Sequence, residues 1–166
     1  MRIRRTAAIG VVLASLGLGV GVPAAQAAVP VTWCNGKSQV TLVKTYAYGG
    51  QALALRCGTG SWGFLHITHR WSDHFDSMIA LTIARGEKVN DVQGDGGTAI
   101  FSLQDNNCHE LFRVIYNGGA LHGSGVSPQG IITAYETGTS TATRQATPDR
   151  EGASFYRTDC PVYQGI

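Results

Sequence analysis

Between residues 72 and 98 the apolar pattern changes period, and nothing else in the sequence constrains the fold as much. Phe75, Met78, Ile79, Thr82 and Ile83 recur at helical spacing and make one apolar face. Ser72 or Asp73 can cap that run, and Asp76 stands three residues after Asp73 as a weak capping box requires. Arg85 suits the negative end of a helix dipole and Gly86 supplies a stop, so a helix is expected over 74–84. From Asp91 onward the period is 2. Residues 98–103 alternate, with Ala99, Phe101 and Leu103 on one face; Asp105-Asn106-Asn107 marks a turn and 110–116 forms the next strand. A long Gly-rich loop over 117–129 leads to a third strand at 130–136. One helix followed by three strands that pair as an antiparallel meander predicts an α+β fold.

Upstream of the helix the pattern is β. Residues 39–48 alternate, Gly49-Gly50 makes a hairpin turn, and 52–57 returns, giving an N-terminal β-hairpin. Gly58-Thr59-Gly60-Ser61 breaks that unit, and 63–71 reads as a short helix or turn before the main helix. Downstream, 137–153 is rich in Thr, Ser and Gly and reads as a loop, and 154–163 as an edge strand pinned by Cys160.

Residues 1–27 have the pattern of a secretory signal peptide: Arg2, Arg4 and Arg5, then an apolar run, then Ala25-Gln26-Ala27 as a cleavage site. A membrane anchor needs about 20 unbroken apolar residues, whereas this run is Gly-rich and stopped by Pro23. Export leaves residues 28–166 as a single α+β domain, secreted and with no membrane attachment. Three of the 13 basic residues leave with the leader, so 10 face 11 acidic ones and the mature net charge is −1. A generic polyanion binder shows a basic stripe; here nucleic-acid chemistry would rest on a few placed cations. The four cysteines, Cys34, Cys57, Cys108 and Cys160, all lie in the mature part and predict two disulfides. Of three possible connectivities, Cys34–Cys57 closes a local hairpin and Cys108–Cys160 ties down the tail, each contributing about 3 kcal/mol. A zinc cluster is the competing use of cysteine, but no pair has C-x-x-C spacing.

The residues able to carry chemistry gather around the helix. His66, His69 and His74 fall within nine residues, beside Arg70. Strand alternation puts Thr133 and Tyr135 on one face of the closing strand and Arg113 on the matching face of its neighbour. If the apolar faces pack on the helix, these three project from the open face. His66 and Arg70, one turn apart, can be brought to that face by the short segment ahead of the helix. An imidazole, a hydroxyl, a phenol and two guanidiniums suit cleavage of an RNA phosphodiester. One group takes the 2′-hydroxyl proton, another protonates the leaving 5′-oxygen, and cations stabilise the phosphoryl charge. Histidine suits either proton step and arginine suits bidentate contact with the oxygens. Such chemistry needs no metal or other cofactor. His66-x-x-His69 with His74, His109 or His122 could hold a metal, but no carboxylate stands at matching spacing.

These residues also carry a resemblance. G-F-L-H-I-T-H-R-W, a helix, two strands and then G-I-I-T-A-Y-E resemble the barnase/EndoU-like RNase domains that tip bacterial contact-dependent and polymorphic toxins. The likeness spans residues 62–136. Gly63, His66, Ile67 and Arg70 match the family's lead, and Gly130, Thr133 and Tyr135 match its last strand. The family's second histidine is Trp71 here, and His69 lies two residues earlier. The resemblance implies a metal-independent endoribonuclease, an antibacterial toxin with RNA as substrate and a proteinaceous inhibitor as partner. Carried over, its catalytic residues would be His66, Arg70, Thr133 and Tyr135; His69 would stand in for the second histidine only through a reshaped turn, and strand alternation rather than the likeness puts Arg113 on the substrate. The alternative from a different class is a non-catalytic secreted binding or inhibitor module, whose disulfides brace a loop surface; the near-neutral mature charge favours it. On that reading the histidines are surface or capping residues, and Thr133 and Tyr135 are ordinary strand formers.

Overall fold

The computed structural model describes residues 29–91, 97–138, 156, 157 and 160. The leader, residues 139–153 of the Thr/Ser/Gly-rich stretch and most of the expected 154–163 strand lie outside them. The described chain is α+β: an N-terminal hairpin, one main helix and an antiparallel sheet, with two disulfides, Cys34–Cys57 and Cys108–Cys160.

The hairpin is β1 (Leu42–Tyr48) and β2 (Gln51–Arg56). Its two-residue loop is Gly49-Gly50, both at positive φ (50° and 82°), the twist that a tight hairpin demands. A one-turn helix α1 (Phe64–Ile67) and a 3₁₀ turn at Thr68–Arg70 follow. The main helix α2 (Asp73–Arg85) buries the five residues expected of its apolar face, Phe75, Met78, Ile79, Thr82 and Ile83. Ser72, not Asp73, is its cap, accepting the Phe75 N–H at 3.1 Å. Asp76 is spent elsewhere: Lys44 Nζ (2.7 Å) and the Tyr46 hydroxyl (2.7 Å) both donate to it, fastening the first turn of α2 to β1. Burial and this carboxylate together push the Tyr46 phenol well above its ordinary value. At the far end Gly86 is extended, and the chain runs straight into a strand.

That strand, β3 (Glu87–Asn90), was not expected; four residues with one apolar side chain give no readable period. It pairs with β4 (Thr98–Asp105), which pairs with β5 (Glu110–Asn117), which pairs with β6 (Gly130–Glu136). The two-residue β7 (Tyr156–Arg157) continues the β3 edge of β4 beside Gln104 and Asp105. At the β4–β5 turn, burial opposes charge on Asp105, but main-chain N–H groups of His109 and Asn107 hold its carboxyl below the usual range. The hairpin and α2 pack on one face of the sheet, with Tyr48 edge-on to Phe101 and Phe75 edge-on to Phe112, both at 5.1 Å between ring centres. β4 is buried on both faces from Thr98 to Gln104, where alternation had implied only one. Among the described residues no helix is long and apolar enough to cross a membrane.

Two bulges adjust the alternation. In β5 the register shifts between the partners of Leu103 and Gln104, leaving Leu111 as the extra residue and bringing Glu110 to the same face as Arg113. In β6 it shifts between the partners of Ile115 and Tyr116, leaving Ile132 as the extra residue. Ile131, rather than Ile132, therefore shares the core face with Ala134, and both are fully buried.

Candidate active site

β6 pairs with β5 on one side only and is an open edge of the sheet. An open edge exposes main-chain groups that need partners, and here the segment ahead of α2 supplies them. The Gly63 N–H donates to the Ile132 oxygen at 2.9 Å, and Arg70 Nη1 donates to the Ala134 oxygen at 3.2 Å. The segment that carries the histidines is thereby laid along the strand that carries Thr133 and Tyr135.

Two glycines make the approach possible. Gly63 has φ 75°, and a Cβ there would come within 2.8 Å of the Arg56 oxygen. Gly130 has φ 105°, and a Cβ would stand 2.4 Å from the Ala54 oxygen, where β2 crosses the start of β6.

At this seam lies a cavity of about 680 Å³ lined by His66, Arg70, Ser72, Phe75, Thr133, Tyr135 and Glu136. Four expected site residues, His66, Arg70, Thr133 and Tyr135, thus meet in one place. His66 Nδ1 lies 2.7 Å from the Gly60 oxygen. A carbonyl only accepts, so Nδ1 carries a proton, and Nε2 has no hydrogen-bond partner among the described residues. Arg70 spends one N–H on Ala134 and, among the described residues, keeps the rest of its guanidinium fork. The positive end of α2 adds to the field, since its cap Ser72 and first-turn Phe75 form part of the wall.

The structure parts from expectation at two residues. His69 lies exposed on the 3₁₀ turn and is not among the lining residues. Arg113 does not project from an open face. Its side chain is 6% exposed, and Glu110 grips it through Nε (2.8 Å) and Nη2 (2.9 Å). Burial opposes the guanidinium charge, but Glu110, with a smaller contribution from the Tyr135 hydroxyl, holds its pKa above the ordinary value. Arg113 is the direct cross-strand partner of Tyr135 but not a lining residue, so the Arg113–Glu110 pair stands beside the cavity rather than in it. Ser102 completes the group by donating to Glu110 at 2.6 Å.

Sequence reasoning missed Ser72, Phe75 and Glu136 as wall residues. Glu136 ends β6, and alternation puts it on the face opposite Tyr135. It nonetheless lines the cavity. Among the described residues no group of three His, Cys, Asp or Glu side chains is placed to hold a metal. Compared with family models, curated proteins and solved structures, the chain matches none.

Proposed function

We propose that this protein is an endoribonuclease that cleaves RNA by 2′-hydroxyl transesterification without a metal. The observation that carries the reading is the meeting of His66, Arg70, Thr133 and Tyr135 around one cavity. In the first step a base takes the 2′-hydroxyl proton, the 2′-oxygen attacks phosphorus, and the bond to the 5′-oxygen breaks as that oxygen receives a proton. Two proton-transfer groups are required. His66, through Nε2, is one; the Glu136 carboxylate is the wall group best suited to be the other. The free N–H groups of Arg70 match the phosphoryl oxygens, and the Thr133 and Tyr135 hydroxyls add neutral donors. A guanidinium only donates, so Arg113 engages the lone pairs of Tyr135 and leaves the phenolic hydrogen for a ligand. Arg113 is then a positioning residue.

Two disulfides accord with an oxidising compartment. With the leader-like N-terminus they support a secreted enzyme, and the resemblance in residues 62–136 supports a toxin role, with a proteinaceous inhibitor in the producer. The test is incubation of the oxidised protein with total RNA in EDTA, beside His66→Ala. Cleavage should survive the chelator and fall by roughly 10²- to 10⁴-fold in the variant, the usual contribution of a general acid or base. RNA left intact by the folded wild-type protein would identify a binding or inhibitor module instead.

A further inference from the structure

Residues 29–38 belong to neither sheet. Their main-chain hydrogen bonds are local turns: the N–H groups of Trp33, Asn35 and Lys37 donate to Pro30, Thr32 and Cys34. Besides apolar packing, two specific ties among the described residues join this segment to the rest. One is the Cys34–Cys57 disulfide, and the other is the Trp71 Nε1–H, which donates to the Val29 oxygen at 2.9 Å.

Both ties lead to the cavity wall. Cys57 follows β2 directly, and its oxygen accepts the Leu65 N–H of α1 at 2.9 Å. The next residues form a tight turn closed by Thr59 N–H to the Trp62 oxygen at 2.8 Å. That turn presents the Gly60 oxygen, the group that selects the His66 tautomer. Trp71 sits between Arg70 and Ser72 and packs edge-on against Phe64 (4.8 Å) and Phe75 (6.4 Å). Arg70, Ser72 and Phe75 are all wall residues.

We infer that the Cys34–Cys57 disulfide gates the cavity. Oxidised, it fixes the segment that clamps Trp71 and reinforces the turn that bears the Gly60 oxygen, whose base is also held by Cys57 N–H to the Thr41 oxygen and Gly58 N–H to the Gln39 oxygen, both at 2.8 Å. Reduced, it releases the Trp71 clamp and leaves the turn on those hydrogen bonds alone, and His66 loses its single tautomer and orientation. The inference rests on the reading of the cavity as an acid/base site and adds its regulation: a chain in a reducing compartment carries an unassembled site, which oxidation completes. The other disulfide has no such linkage, because Cys108 lies in the β4–β5 turn and its N–H donates to Asp105. The switching chemistry is thiol–disulfide exchange. A dithiol such as dithiothreitol gives up two electrons and two protons, the Cys34–Cys57 bond becomes two thiols, and the reductant closes to its own disulfide.

The experiment uses the protein with Cys108→Ser and Cys160→Ser, so that dithiothreitol acts on one bond. Imidazole nitrogen NMR, assigned through His66→Ala, reads the tautomer; RNA cleavage reads activity; circular dichroism reads the sheet. Reduction should abolish the Nδ1–H signature and lower cleavage by about 10²-fold, with the sheet retained and both signals recovered on reoxidation. Cys34→Ser with Cys57→Ser, keeping the second disulfide, should show the same loss without reductant. A reduced protein with an unchanged His66 signal overturns the inference. So does one whose whole sheet melts, for the bond would then be a general staple. If the oxidised protein never cleaves RNA, the NMR signal alone decides: its collapse on reduction supports the gate while the nuclease reading fails.

Discussion

At position 66 the imidazole is oriented by a main-chain oxygen, not by a carboxylate. Residue chemistry alone could nominate this histidine, since it lies beside Arg70, but it could not say which nitrogen would be free. The same limit applied to Arg113. Alternation assigned it correctly to the face of Tyr135, yet exposure depends on what covers that face, and a bulge brings Glu110 round to pair with it. Gly130 is more constrained than either. With φ 105° and the Ala54 oxygen in the way of any Cβ, Gly130→Ala should lower stability by about 2–3 kcal/mol. Urea denaturation checks this; a loss below about 0.5 kcal/mol would mean that β2 and β6 do not meet as described.

At the scale of elements the helix was the most legible, because cap, apolar face and dipole all pointed to the same limits. Ser72 contributes twice, as cap of α2 and as part of the cavity wall. Ser72→Ala should cost about 1 kcal/mol, measured as a shift of the urea midpoint at constant m-value. Ser72→Asp, which keeps an acceptor for the Phe75 N–H, should recover most of it. β3 was illegible for the opposite reason: a strand of four residues with mostly polar side chains owes its existence to the β4 edge it finds. It closes the edge of β4, while β6 at the opposite end stays the edge on which Gly63 and Arg70 dock.

For the whole molecule, the fastening of the hairpin to α2 through Lys44, Tyr46 and Asp76 determines behaviour in alkali. The Tyr46 phenol is buried against a carboxylate, so its folded pKa is raised above the ordinary 10.0. Between those two values the native state holds a proton that the unfolded chain has lost. Stability is therefore intact below about pH 10 and falls above it by up to about 1.4 kcal/mol per pH unit. Denaturation from pH 8 to 11 should show this slope in the wild type and a shallower one in Tyr46→Phe. Equal slopes would mean that Tyr46 ionises freely in the folded protein.

The sequence by itself determined the local elements: the capped amphipathic helix, the Gly-Gly hairpin and the period-2 strands. These follow from interactions between residues close in the chain, where periodicity and turn chemistry act directly. Only the tertiary structure decided what covers the β6 edge, where bulges shift the alternation, and that Glu136 lines the cavity while Arg113 does not. Those outcomes depend on contacts between distant segments, such as Gly63 on Ile132 and Arg70 on Ala134, and no local pattern encodes which main-chain group will find which partner.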